Sequence, residues 1–135
     1  MSRIRPTPDQ ISTFIQGDMN APVGMLNLLK FKPLATYEDG AEEASQNLTG
    51  AQAYALYGAG VAKVLEKIGA KVVYSGPVQQ FMIGEGDWDA AAIVVYPTRQ
   101  AFIDMPQRED YQAIHYHRDA GLSHQDLIAT HPLVS

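Results

Sequence analysis

Two segments of this chain are apolar on both faces of an extended backbone, and that constrains the fold more than any other feature. Residues 23–32 read VGMLNLLKFK and residues 90–96 read AAAIVVY. Both are short and bounded by turn residues, which favours strand over helix. A strand that is apolar on both faces needs cover on both sides of its sheet. Alternation in the first segment puts Met25, Asn27, Leu29 and Phe31 on one side, so Asn27 is a polar group on an otherwise apolar face.

The remaining elements follow from local signals. Thr7-Pro8-Asp9 reads as a helix start running to about Gln16, with Gly17 ending it. Residues 33–50 carry turn and polar residues and are expected to form a mobile flap, with a short helix possible over 42–46. Thr49 caps a helix whose apolar positions Tyr54, Tyr57, Val61, Leu65 and Ile68 share one face, and Gly69 suits its C-terminal cap. Gly58 and Gly60 within it are expected to permit a close backbone approach. Residues 71–84 form a second strand interrupted at Ser75-Gly76-Pro77, so it should lie at an edge with a bulge there. Gly84-Glu85-Gly86-Asp87 reads as the hairpin turn to the third strand. After Pro97, Thr98 caps a short helix that Pro106 interrupts, and a second helical piece is expected over residues 109–120, ended by Gly121. A last strand fits residues 125–130.

The order is therefore one leading helix and then β-α-β-β-α-β, the split βαβ or ferredoxin-like pattern of an α+β fold, with an antiparallel sheet in the order 4-1-3-2. Residues 1–22 read as an N-terminal helical extension and residues 23–135 as one domain. Helices cover one face of such a sheet, and the chain has no more helices for the other. A second copy packed sheet to sheet supplies the cover, so a homodimer is expected.

Composition excludes several partners. The 135 residues carry a net charge of -5, and the ten Lys and Arg residues are scattered. This disfavours nucleic acid and an anionic membrane surface, both of which call for concentrated basic charge. There is no cysteine, so disulfides, thiol catalysis and thiolate metal sites fall away. No run is long enough for a transmembrane helix, and the first residues lack the apolar core of a secretory signal, so a cytoplasmic location is expected. No phosphate loop, nucleophile elbow or zinc-protease motif is present.

The candidate chemistry is concentrated in the tract from Trp88 onward, which gathers Tyr111, His115, Tyr116, His117 and Arg118 within eight residues. One histidine can serve as a general base, since an imidazole titrates near neutral pH. His115 and His117 stand about 200° apart on a helix, so one metal on one face cannot use both, and no metal site is expected. Tyr111, Ile114, His115 and Arg118 share one helical stripe by their three- and four-residue spacing. Arg118 can hold a carboxylate or enolate through its planar fork, or form an internal ion pair to Asp89 or Asp110. Asn27 can bond a ligand oxygen or be a buried amide satisfied by backbone. Trp88 suits a pocket wall, a dimer interface or plain core. Tyr54 and Tyr57 are expected in the core with hydroxyls at a cavity edge. Asp89 can orient a histidine or Arg118, or simply be solvated.

The segments MLNLLKFK (25–32), Tyr54 with Tyr57, GEGDWDAAAIVVYPTRQAF (84–102) and EDYQAIHYHRDAGL (109–122) together resemble a bacterial family, domain of unknown function thirteen-thirty. The resemblance covers roughly residues 23–128 and implies membership of the dimeric α/β-barrel superfamily. That superfamily includes cofactor-independent monooxygenases of phenols and quinols, haem-degrading monooxygenases, muconolactone isomerase-like enzymes and ligand-sensing domains, so fold alone does not choose a reaction. Haem-degrading relatives carry an Asn, Trp and His constellation, whose residue types Asn27, Trp88 and His115 or His117 match loosely. The expectation is a homodimer binding a phenol-, enol- or carboxylate-like molecule between sheet and helices, without a cofactor. A histidine would act as base, while Asn27 and Arg118 hold the oxyanion and Tyr57, Trp88 and Tyr111 line the pocket. A non-catalytic binding module is the alternative, with haem binding behind it.

Overall fold

The computed structural model describes residues 3–133, so residues 1–2 of the expected extension and 134–135 of the expected domain lie outside the described residues. Helix α1 (Pro8–Ile15) opens with a capping box in which the Thr7 hydroxyl accepts from the Gln10 amide and the Gln10 side chain accepts from the Thr7 amide. Strand β1 (Val23–Phe31) leads through a loop to α2 (Gly50–Ile68), which starts with a second capping box, Thr49 with Gln52. Gly69 ends α2 at φ 80°, a left-handed conformation that costs glycine nothing. Strands β2 (Lys71–Pro77) and β3 (Ala90–Tyr96) follow. Helix α3 (Arg99–Asp104) is capped by Thr98, then come α4 (Glu109–Gln112), α5 (His115–Gly121) and β4 (Leu122–Thr130).

The four strands form one antiparallel sheet in the order β2-β3-β1-β4, as the split βαβ pattern requires. Val23 and Met25 of β1 and Tyr96 of β3 pack with Tyr57, Val64, Leu65, Met105 and Tyr111 of the helical layer to make the core. In register, Met25 faces Val94 and Asn27 faces Ala92, so these side chains share the helix-covered face. The opposite face carries Leu26, Leu28, Ile93, Val95 and Ile128, each half-buried or exposed. Among the described residues no helix is long and apolar enough to cross a membrane.

Five local expectations are corrected. The segment 33–50 is pinned rather than flap-like: Ala35 N–H donates to Leu48 O, Thr36 N–H to Ala120 O, and Tyr116 Oη to Glu43, with a 3-10 turn at Glu42–Ser45. Strand β2 stops at Pro77, and its register break lies between Val72 and Tyr74 rather than at Ser75-Gly76. An irregular connection, residues 78–89, then replaces a tight hairpin. The helix expected over 109–120 is two pieces broken around Ala113 and Ile114. The close backbone approach within α2 is at Gly50 instead of Gly58. An added Cβ at Gly58 would meet nothing within 4 Å, at Gly60 it would meet the Ile114 side chain, and at Gly50 it would meet main-chain atoms.

Candidate functional site

A cavity of about 760 Å³ lies between the sheet and the helices. Its floor is the helix-facing side of the sheet, with Met25 and Asn27 from β1, Ala92, Val94 and Tyr96 from β3, and Gln125 and Leu127 from β4. Helix α2 supplies Tyr54, Tyr57, Val61 and Leu65, and the broken C-terminal helices supply Tyr111, His115 and Arg118. Ile4, Arg5 and Pro6 close one side.

The break around Ile114 matters here. The two helical pieces are short, yet Tyr111 and His115 remain neighbours across the break, with ring centroids 5.4 Å apart. The Tyr57 and Tyr111 hydroxyls are 3.0 Å apart and buried. Burial pushes the Tyr54 phenol up to about 12, an effect that Arg118 partly offsets, and pushes Tyr57 and Tyr96 up as well. These hydroxyls therefore stay protonated at neutral pH and can donate hydrogen bonds.

A connected polar string runs along one wall. Arg118 Nη2 donates to Gln125 Oε1 at 2.6 Å, Gln125 Nε2 donates to Asn27 Oδ1 at 2.8 Å, and Asn27 Nδ2 donates to the Met25 carbonyl at 3.2 Å. Asn27 is thus satisfied within the protein, yet it remains part of the cavity floor. Arg118 is 12% exposed, and its Nη1 lies 3.6 Å from Asp119 Oδ1. Neither Asp89 nor Asp110 pairs with it: Asp89 accepts from the Phe31 amide and Lys30, and Asp110 from Arg108 and Lys67.

His115 sits beside this string, with Nε2 3.3 Å from Arg5 Nη1 and Nδ1 3.6 Å from Asp119 Oδ2. Burial holds its pKa below the ordinary 6.5; Asp119 opposes the shift, while Arg5 and Arg118 reinforce it. The ring is therefore neutral at pH 7, and Nε2 accepts from Arg5. Because the folded pKa is depressed, the unfolded chain takes up this proton first as pH falls. Stability held above pH 6.5 is accordingly lost as pH drops through the folded value. His115→Gln is expected to flatten that acid-side decline in urea-unfolding free energy, and an unchanged slope would show that His115 is not its source.

Of the residues expected in the site, Asn27, Tyr57, Tyr111, His115 and Arg118 line this one cavity. His117 and Trp88 do not. His117 Nδ1 is 2.8 Å from Tyr37 Oη, and its ring lies 4.1 Å from that of Tyr116, so it ties α5 to the 33–50 segment. Trp88 packs on His124 at 5.4 Å, with the Arg3 guanidinium 6.0 Å from its ring. Asn27, Trp88 and a histidine therefore do not meet as the haem-site analogy needs. Among the described residues no three His, Asp or Glu side chains gather to hold a metal. Sequence reasoning missed Gln125 and Arg5. The parity of β4 opposite Asn27 carried a signal for Gln125; the signal for Arg5 was absent, because it reaches the site from a separate N-terminal segment.

The sequence profile of the family described as Domain of unknown function (DUF1330) matches residues 44–131. A solved protein of unknown function from Rhodopseudomonas palustris is 34% identical over 100% of both chains, with a TM-score of 0.84. A dimeric protein of unknown function with a ferredoxin-like fold, from Bacteroides fragilis, has a TM-score of 0.51 at 11% identity, over 82% of this chain and 96% of that one. A Caulobacter crescentus protein provisionally described as an antibiotic biosynthesis monooxygenase has a TM-score of 0.55 at 11% identity, over 87% of this chain and 94% of that one. At that identity the last two bear on the fold alone. No curated protein matches the sequence.

Proposed function

The chain belongs to the DUF1330 family, and within that family of unassigned activity we propose that it binds a small, largely apolar molecule bearing a carboxylate or phenolic oxygen. One observation carries this reading: a cavity of about 760 Å³ with apolar walls and the connected string Arg118–Gln125–Asn27 along one side. Pockets for small ligands have this character, with mostly apolar lining and a few placed polar groups that fix orientation. Arg118 supplies charge for the ligand oxygen, and the protonated tyrosines supply further donors. His115, neutral at pH 7, is the base for proton abstraction from a bound phenol or an acidic C–H. Cofactor-free oxygenation and isomerisation both begin with such a step, and the provisional description of the Caulobacter neighbour is compatible with the first.

We assign residues 1–22 as a leading segment and 23–135 as the domain that holds the cavity. The half-exposed apolar face of the sheet supports a homodimer packed sheet to sheet, with precedent in the dimeric Bacteroides neighbour. Sedimentation at micromolar concentration is expected to give a dimer, and a monomer would overturn that assignment.

The binding reading is tested with 8-anilinonaphthalene-1-sulfonate, an aromatic anion that fluoresces in apolar surroundings. Saturable binding at one site per chain is expected, with displacement by benzoate and much weaker displacement by the uncharged benzamide. No saturable binding would end the proposal. Binding of phenols and carboxylates with no turnover in air, and no proton exchange into the ligand, would reduce it to a non-catalytic binding module.

A further inference from the structure

A stretch of the protein's own backbone sits where the polar end of such a ligand would go. Residues 3–6 run beside β4, where the Gln125 amide donates to the Arg3 carbonyl at 3.0 Å and the Arg3 guanidinium meets Asp126 at 2.5 Å. The chain then turns inward. Ile4 lines the cavity, and its carbonyl accepts from Arg118 Nη2 at 2.6 Å. Arg5 Nη1 faces His115 Nε2, and its Nη2 donates to Asp119 Oδ2 at 2.6 Å. Both groups assigned to hold and deprotonate a ligand therefore already carry a partner from this strap.

The strap is held in a way that permits exchange. Its two ion pairs are exposed, Arg3 by 57% and Arg5 by 48%, and exposed pairs contribute little to stability. The acceptor it offers Arg118 is an uncharged carbonyl. A carboxylate or phenolate in the same place makes a charge-assisted bond of about twice the strength.

We propose that residues 3–6 form a displaceable plug: the Ile4 carbonyl occupies an oxyanion subsite at Arg118, and a small carboxylate or phenolate enters by displacing it. This rests on the reading of the cavity as a ligand site. Displacement would also release Arg5 from His115 Nε2, so ligand entry would free the base at the moment it is needed. Ligands without an anionic oxygen gain no such exchange and would compete with the plug poorly.

The test compares the full chain, the Arg3→Ser/Arg5→Ser variant and a chain starting at Thr7 after its initiator methionine. Each is titrated with 8-anilinonaphthalene-1-sulfonate and followed by amide hydrogen exchange. Both variants are expected to bind the probe roughly tenfold more tightly, the loss of a competing interaction of about 1.4 kcal/mol. In the full chain, probe binding is expected to speed exchange of the Gln125 amide, whose partner is the Arg3 carbonyl. The double variant keeps the chain length, so it still decides the matter should the shortened chain misfold. Equal affinity in the full chain and the double variant, with Gln125 protection unmoved by the probe, overturns the plug and leaves the cavity reading intact. No binding by any of the three overturns the cavity reading and the plug together.

Discussion

Gly121→Ala is expected to lower the folding stability by about 3 kcal/mol, at the upper end of what overpacking costs, and with it the melting temperature by roughly 10 °C. The reason is a three-way backbone contact that permits no adjustment. The Lys32 amide donates to Gly121 O at 2.8 Å, and the Gly50 amide donates to Lys32 O at 3.0 Å. The end of β1, the start of α2 and the end of α5 thus meet main chain to main chain. A Cβ at Gly121 would lie 2.4 Å from Gly50 O, and one at Gly50 would lie 2.1 Å from Lys32 O. Neither oxygen belongs to a side chain that can rotate away, so whole elements must separate. Gly50→Ala should behave the same way. Gly58→Ala is the internal control: nothing lies within 4 Å of the added methyl. Removing a helix-interior glycine there should stabilise by about 0.5–1 kcal/mol. Thermal unfolding of the three variants checks this, and a Gly121→Ala protein that melts with the wild type would refute the contact.

The same junction shows which parts of this fold could be read in advance. Strands β1 and β3, the capping threonines Thr7 and Thr49 and the strand order follow from period, caps and the rule for split βαβ units, all of which act within a few residues or through chain order. The Gly50–Gly121 contact joins residues far apart in the sequence, and no local pattern distinguishes those glycines from Gly58. The break around Ile114 was hidden for a similar reason. Periodicity over residues 109–120 suits one helix, and only its packing on Gly60 and α2 exposes the interruption. In the candidate site, Asn27, Tyr57, Tyr111, His115 and Arg118 were legible as unusual groups on faces that had to turn inward. His117 and Trp88 were equally conspicuous, yet the structure spends them on Tyr37 and His124. Residue type marks a group as capable of chemistry, and only the fold decides which of several capable groups share a cavity.

Arg118→Met should separate what this residue does for the fold from what it does for a ligand. Methionine keeps the length and apolar stem but removes every donor. Gln125 Oε1 and Ile4 O would both lose the guanidinium they accept from. Partly buried acceptors left without a donor cost about 1–3 kcal/mol, so the variant should fold with reduced stability. Ligand affinity should change more, and selectively. A charge-assisted hydrogen bond contributes about 1.5–3 kcal/mol, so benzoate should bind roughly 10- to 100-fold more weakly. Benzamide has the same shape and no charge, and its affinity should not fall, since the same substitution also frees the Ile4 carbonyl. Arg118→Lys keeps the charge but loses the fork that serves Gln125 and the strap together, so it should fall between. Both affinities must be measured well below each variant's melting temperature, by displacement of the same fluorescent probe. Equal weakening of benzoate and benzamide would mean that Arg118 only shapes the cavity, and the oxyanion subsite would then have to be sought at the tyrosine hydroxyls on α2. Selective loss of benzoate would fix the polar end of the ligand at Arg118, and with it the distance over which His115 must act.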